Sequence, residues 1–324
     1  MKCKSLMVKI QALVLAAFLP TFSTAQTFPT RPITLIVAAS PGGAMDLAAR
    51  SIGQKLTEAW GQSVIIENKA GATGIIGTDA VAKAMPDGQT LVLVASSHAI
   101  NPSMFKKLPF DTVKSFDPVI ITHQVPLVLV VSPQLPVKSL PELITYAKAN
   151  PGKLTFASSG AGGAPHLSGE LFKTMAGIDI VHIPYKSSTL ALPDLLSGRT
   201  SMMFFTVAAV KAQIANGSVR PLAVTTTKRV SVLPNVPTMD EGGVPGFKTS
   251  TWSGILAPAG TPKATLARLN TEMNRIFAMP DIRQIFQEGG LEIGGGTSQQ
   301  FADFISSEMT KWAKVVKDAG IQPE

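Results

Sequence analysis

Short, uninterrupted apolar runs rich in Val and Ile alternate with helical segments along most of this 324-residue chain. The first such run is Ile33 to Ala39, and a glycine turn leads from it into a helix predicted to begin at Asp46. An uninterrupted apolar run indicates a strand buried on both faces, as parallel strands are between two layers of helices. The alternation therefore predicts an α/β fold with doubly wound sheets.

The alternation occurs in two blocks, which indicates two similar domains. Strands over Val64–Asn68 and Thr90–Ser96 complete the first block, and strands from Leu127–Val131 to Arg220–Thr226 belong to the second. The chain is long enough for two hydrophobic cores and needs no metal or disulfide to stabilise them.

Two similar segments mark where the chain passes between the blocks. Each has a strand, a proline loop and a helix, and they begin at Pro126 and Trp252. Ser139 and Thr261 are the predicted N-caps of the two helices. We expect the chain to leave the first domain near residue 125 and to return near residue 250, with a helix over 298–319 completing that domain. The expected domains are residues 26–125 plus 249–324 and residues 126–248.

The first 25 residues have the order of a secretory signal peptide. Lys2, Lys4 and Lys9 accompany a short apolar stretch, and small residues precede a cleavage site between Ala25 and Gln26. The apolar stretch of about ten residues would span only ~15 Å as a helix, half of the hydrocarbon core, which disfavours a membrane anchor. We therefore expect a cleaved signal peptide and a periplasmic protein.

The residue types present exclude several kinds of chemistry. Cys3 is the single cysteine and lies in the predicted signal peptide, so the mature chain would have no disulfide and no thiolate site. Four histidines without an i,i+4 pair argue against zinc, and the motifs of common hydrolases and nucleotide-binding enzymes are missing. The net charge of +8 falls to +5 without the three signal-peptide lysines, and no basic cluster indicates nucleic acid binding. We expect no enzyme activity, metal or cofactor.

Two glycine-rich loops join the end of a predicted strand to the start of a helix, one in each expected domain. They are SPGGAMD, from Ser40 to Asp46, and SSGAGGAPH, from Ser158 to His166. Glycines allow the backbone to approach a ligand closely, and a helix N-terminus offers unpaired N–H groups. Open α/β sheets bind ligands at the carboxyl ends of their strands. Each loop alone could be a plain turn, but two loops facing each other across a cleft predict an anion site.

A third polar segment, SSHAINPS, follows the strand that ends near Ser96. His98 in this segment is either a ligand contact or a hydrogen-bonded structural histidine. His166, in contrast, is expected in the first turn of its helix, after the second glycine loop.

Several stretches, taken in order and spacing, resemble the Bug family, the periplasmic solute-binding proteins of tripartite tricarboxylate transporters. They include FPTRPITLIV, PGGAMDLAARSIGQKL, SSGAGGAPHLSGELF and VPTMDEGGVPGF, and they cover essentially the whole chain after the signal peptide. The resemblance implies a type II, two-domain Venus flytrap in which each domain is a mostly parallel sheet flanked by helices. It also implies a monomer without catalysis, which captures a small organic carboxylate between the domains and delivers it to the transporter's membrane subunits.

The resemblance places the ligand contacts in the two glycine loops, in the segment after the third strand and at the ends of two later strands. The predicted ligand-binding residues are Ser40, Pro41, Gly42, Gly43, Asp46, Ser97, His98, Asn101, Ser158, Ser159, Gly160, Gly162, Ala164, His166, Tyr185, Phe205 and Thr206.

Two departures from the family pattern bear on the ligand. Ser187 follows Tyr185-Lys186 where many relatives have glycine, and Phe205 and Thr206 stand where many carry Asp and Asn. If Phe205 faces the cleft, a ligand ammonium finds no carboxylate there, and an acid without an amino group is expected, either a dicarboxylate or an aromatic carboxylate. The alternative is that Phe205 points into the core. A ligand-sensing subunit of a receptor and a periplasmic enzyme acting on small acids are the alternative functions.

Overall fold

The computed structural model describes residues 28–323, so the predicted signal peptide lies outside the described residues. Within that range the chain forms ten strands and ten α-helices. The strands are β1 (Ile33–Val37), β2 (Val64–Asn68), β3 (Thr90–Ala95), β4 (Phe116–Val131), β5 (Leu154–Ser158), β6 (Ile180–Pro184), β7 (Met202–Thr206), β8 (Arg220–Val224), β9 (Ser250–Pro258) and β10 (Glu292–Gly295). The helices are α1 (Ala44–Trp60), α2 (Ile75–Ala82), α3 (Ser97–Met104), α4 (Leu140–Ala149), α5 (Ala164–Ala176), α6 (Ser188–Leu196), α7 (Val207–Ala215), α8 (Lys263–Phe277), α9 (Pro280–Glu288) and α10 (Ser298–Asp318).

The long strand β4 is shared by two groups of strands. The strand order is β2-β1-β3-β9-β4-β7-β5-β6, and β8 and β10 also pair with β4. β4 pairs with β9 and β10 as far as Pro126, and it pairs with β7 and β8 from Leu127 onward. The two groups of strands therefore meet between residues 126 and 127.

The outer strands of each group are parallel, as the sequence predicts. β1 pairs in parallel with β2 and β3, and β5 pairs in parallel with β6 and β7. All pairs that involve β4 or β9 are antiparallel, because β4 carries the chain from the first group to the second and β9 carries it back. The predicted α/β fold of the periplasmic-binding-protein type is confirmed.

Helices cover both faces of each strand group. Successive side chains of a strand point to opposite faces, and in β1 Leu35 packs with α1, α8 and α9 while Ile36 packs with α3 and α10. In the second group Leu129 packs with α4 and α5, whereas Val130 packs with α6 and α7. The faces of both sheets are thus filled, and the loops at the carboxyl ends of the parallel strands are left for binding.

Several element boundaries differ from the sequence prediction. α1 begins at Ala44 and not at Asp46, and the polar segment after β3 forms the helix α3, which the sequence reading missed. Ser139 is confirmed as an N-cap, because its side chain accepts a hydrogen bond from the N–H of Glu142. The prediction for Thr261 was wrong: its hydroxyl donates to the carbonyl oxygen of Pro258 over 2.7 Å, and α8 starts two residues later.

Candidate functional site

The first glycine loop is held in shape by the side chain of Asp46. Gly42 has a left-handed conformation with φ +83°, and its N–H donates to Oδ2 of Asp46 over 3.0 Å. Nε of Arg50 donates to the same oxygen over 3.0 Å. The hydrogen bonds from Arg50 and from Gly42 lower the pKa of the Asp46 carboxyl to about 2. Oδ2 of Asp46 is therefore engaged within its own loop, while Oδ1 is buried and accepts no hydrogen bond.

The second glycine loop is held in the same way by His166. Gly162 is left-handed with φ +74°, and its N–H donates to Nδ1 of His166 over 3.0 Å. The ring of His166 stacks on that of His182 with 3.8 Å between centroids. Burial, and secondarily the neighbouring charges of His182 and Lys173, lower the pKa of His166 to about 3. The neutral ring is the form that can accept at Nδ1, so the bond and the pKa agree.

The two loops share one construction. In each, a left-handed glycine donates to the side chain four residues later, and a second glycine, Gly43 or Gly163, is the N-cap of the following helix. No side chain caps either helix. The first-turn amide groups of a helix have no acceptor within the helix and carry its positive dipole end. Both loops can therefore receive an anion.

Ser158 stabilises the second loop by hydrogen bonds and is not exposed to a ligand. Its hydroxyl is fully buried, donates to the carbonyl oxygen of Gly160 over 2.9 Å and accepts from the N–H of Gly160 at 3.2 Å. Nε2 of His182 lies 2.7 Å from the same hydroxyl. Ser159 is exposed and Gly160 is half-buried, so these two residues present the loop backbone to solvent.

The second loop lies close to the first strand group. Ala164 and Leu167 of α5 belong to the same buried cluster as Ile100 of α3. A Cβ added to Gly162 would lie 3.0 Å from Cε of Met104, at the end of α3. The structure therefore brings the second loop beside α3, where the sequence places its third candidate segment.

Within that segment His98 has a structural role, and the expected ligand contact is not supported. The side chain is 4% exposed, and its Nε2 lies 3.1 Å from the carbonyl oxygen of Thr112. It packs against Phe110 and Phe116, with ring centroids 6.2 and 5.4 Å away. Burial lowers the pKa of His98 to about 4, which keeps the ring neutral. Of the segment's three predicted residues, Ser97 is the half-exposed one.

A loop that the sequence analysis left out of the site lies next to Asn101. Four consecutive residues, 71–74, have left-handed φ angles, and two of them, Ala72 at +45° and Thr73 at +52°, are not glycines. The hydroxyl of Thr73 donates to Oδ1 of Asn101 over 3.0 Å. Left-handed non-glycine residues cost about 1–2 kcal/mol each and cluster at binding sites. The sequence signal was the pair of glycines in AGATG, which flank the strained residues.

This loop packs against the ends of β1 and β3. A Cβ added to Gly74 would lie 3.3 Å from the carbonyl oxygen of Ala38 and 3.7 Å from Oγ of Ser97. Residues 71–74 therefore lie beside the first glycine loop and the start of α3, and they form a third backbone segment at the same edge of the sheet.

The five remaining predicted residues have different environments, and two of them, Ser40 and Pro41, are exposed in the first glycine loop. The hydroxyl of Tyr185 donates to Asp194 over 2.7 Å, and burial followed by this bond raises the pKa of Tyr185 to about 12. Phe205 is 2% exposed and packs in the buried cluster with Val128, so it points into the core and is not supported as a ligand contact. Thr206 is half-exposed at the N-cap of α7.

A family model described as "Tripartite tricarboxylate transporter family receptor" (TctC) matches residues 48–321. The chain belongs to this family. The TctC-family chain is 39% identical to Protein BugT of Bordetella pertussis, over 92% of either chain, which confirms the resemblance to the Bug proteins.

Solved structures of relatives share the fold. A protein of R. palustris, solved with adipate, is 40% identical, has a TM-score of 0.79, and matches over 92% of this chain and 100% of its own. MatC from Rhodopseudomonas palustris, with bound malate, is 30% identical with a TM-score of 0.74, over 89% of this chain and 100% of its own.

The acidic side chains next to the predicted contacts of this TctC-family member are already paired. Asp46 is bound by Arg50, and Asp194 accepts from Tyr185 and from Arg199, whose Nη1 is 2.9 Å away. Residues 28–323 contain no cluster of three or more side chains that could hold a metal ion. No helix in the same range is both long and apolar enough to cross a bilayer.

Proposed function

We propose that this protein is a periplasmic solute-binding protein that captures a small organic carboxylate and delivers it to the membrane subunits of a tripartite tricarboxylate transporter. The observation that carries the proposal is the matched pair of glycine loops, each with an uncapped helix start. Charge-assisted hydrogen bonds are worth roughly 1.5–3 kcal/mol each, so three or four of them with some apolar burial give a dissociation constant of about micromolar. No cationic side chain is needed.

The proposed ligand lies between two domains, residues 26–125 plus 249–324 and residues 126–248. The strand pairing supports this division, because β4 changes its partners between Pro126 and Leu127. The buried hydroxyl of Ser168 in α5 donates to Oγ1 of Thr249 over 2.9 Å, just before β9. Thr225 in turn donates to the carbonyl oxygen of Thr249 over 2.6 Å. Helix α5, which follows the second loop, is thus hydrogen-bonded to the chain just before β9. Domain closure would bend the chain at this point.

The proposed ligand is an organic acid without an amino group. The family supports a carboxylate, as do adipate and malate, which are bound in the structures of two relatives. Asp194 is paired with Arg199, and Asp46 has Oδ2 paired with Arg50 and Oδ1 buried away from solvent. This supports the absence of an ammonium, because a buried ammonium without a free carboxylate partner costs several kcal/mol. Phe205 does not contribute to this preference, because it is buried in the core.

The test is native mass spectrometry of ligand released from the purified protein, followed by thermal shifts with adipate, malate, benzoate, aspartate and glutamate. We expect a carboxylate and larger shifts with the acids that lack an amino group. Larger shifts with aspartate or glutamate would contradict the ligand class, and turnover of any bound acid would favour the enzyme alternative. A bound compound without a carboxylate would overturn the proposed function.

A further inference from the structure

An apolar cavity of about 170 Å³ lies between α7 and the turn that joins α9 to β10. Its walls include six apolar side chains from four parts of the chain, namely Pro126, Val207, Ala208, Val230, Val232 and Leu291. Val207 and Leu291 are buried, and Val232 is exposed at the rim. A cavity of about 150 Å³ lined by aliphatic side chains is large enough to hold benzene.

Two walls of the cavity belong to elements that neighbour the glycine loops. Val207 directly follows β7, and β7 neighbours β5, whose end at Ser158 starts the second loop. Ser158 lies opposite Phe204 in the register of these strands, so Val207 and the cavity begin three residues, about 10 Å, further along the sheet than the start of the loop. On the other side, a Cβ added to Gly289 would lie 2.8 Å from Cδ2 of Leu47, in the first turn of α1.

The charged residues at the cavity oppose a second anion. They are Lys211, Glu288 and Glu292, a net charge of one negative unit. Oε1 of Glu288 accepts a hydrogen bond from Gln284 over 2.8 Å. Burial raises the pKa of Glu292, which shows that its surroundings already disfavour negative charge. A ligand carboxylate inside the cavity would meet the same cost of burial.

We propose that the cavity holds the hydrocarbon part of the ligand, so that the protein prefers a monocarboxylate whose chain or ring has about six carbon atoms. This inference rests on the proposed function: the single carboxylate binds at the glycine loops, and the apolar body extends past Val207 into the cavity. Each buried methylene then strengthens binding by about two- to fourfold.

The test is isothermal titration of the purified protein with acetate, butanoate, hexanoate, benzoate and adipate at one pH. We expect affinity to rise about four- to sixteenfold from butanoate to hexanoate, and hexanoate to bind more tightly than adipate. Ala208→Leu, on the α7 wall, and Val232→Phe, at the rim, should each fill part of the cavity. Each variant should therefore remove the gain in affinity from butanoate to hexanoate. Thermal unfolding checks that both variants fold, and Ala264→Leu, the same change as Ala208→Leu on an exposed residue of α8, should keep the gain.

The outcomes separate this inference from the proposed function. If butanoate and adipate bind but affinity does not rise with chain length, the cavity does not receive the ligand and the inference fails alone. Tighter binding of adipate than of hexanoate also overturns it. If none of the acids binds and no carboxylate is released from the purified protein, the proposed function fails as well.

Discussion

The backbone N–H of Gly162 donates to Nδ1 of His166 across 3.0 Å, and this one bond couples the shape of a binding loop to the charge of a histidine. Gly162 is left-handed, so the loop needs both a glycine and an acceptor at that point. Protonation of Nδ1 would turn the acceptor into a donor and would break the bond.

We expect His166→Phe to weaken carboxylate binding by about two- to tenfold, the net worth of one hydrogen bond. The phenyl ring keeps the stacking on His182 but offers no acceptor to the loop. Titration with the tightest-binding acid of the thermal-shift panel measures the effect. His123→Phe is the control, because His123 is buried in β4 against Phe286 and should affect stability alone. Equal losses of affinity in His166→Phe and His123→Phe would contradict the role of His166 in holding the loop.

Asp46→Asn and Asp46→Ala should differ in their effects on affinity for the ligand. The asparagine carbonyl can still accept from Gly42, and the loss of a negative charge beside the anion site should leave affinity unchanged or raise it up to about tenfold. Alanine removes the acceptor and should lower affinity by about two- to tenfold. The same titration measures both variants. Loss of binding in Asp46→Asn would show that the carboxylate itself contacts the ligand.

Acid should destabilise the fold through its buried histidines. Burial lowers the pKa of His98 to about 4 and that of His166 to about 3, against 6.5 for the ordinary side chain. Below about pH 6.5 the unfolded chain binds protons that the folded chain does not, so stability is greatest above that pH and falls towards pH 4. Each such histidine contributes a loss of about 2 kcal/mol between pH 7 and pH 5.

Urea unfolding at pH 7, 6 and 5 measures this loss, and His98→Gln should reduce it. The glutamine amide can still donate to the carbonyl oxygen of Thr112 but does not titrate. A pH dependence identical to that of the wild type would contradict the assignment of His98 as a neutral, buried group.

Ala72→Gly should stabilise the protein by about 1 kcal/mol, although glycine usually destabilises folded chains. Ala72 is exposed and left-handed, so its Cβ adds strain. Ala267→Gly is the control in the exposed interior of α8, where the same change should cost about 1 kcal/mol. Urea unfolding compares the two, and destabilisation by Ala72→Gly would mean that the loop is not strained.

The two glycine loops could be found in the sequence because strand, glycine and helix signals are local. The ion pair of Asp46 with Arg50 could also be predicted, because the two residues are four apart on the predicted helix. The bonds from the two left-handed glycines could not, because they depend on the loop conformation. Phe205 follows the strand pattern, but which face it points to depends on register, and the structure places it in the core. The loop over residues 71–74 was missed because left-handed Ala72 and Thr73 have no sequence signature of their own.

The affinity of the Gly43→Val variant for a carboxylate is the most direct test of an anion site between the loops. Gly43 has φ −92°, which valine adopts readily, and a Cβ there would have no atom within 4 Å, so the fold should be preserved. The valine would project into the space before the first turn of α1. Titration with the tightest-binding acid should show affinity reduced by about 100-fold or more, the loss of two charge-assisted bonds, while Ala264→Val on α8 binds normally. Unchanged affinity in a folded Gly43→Val protein would contradict the account.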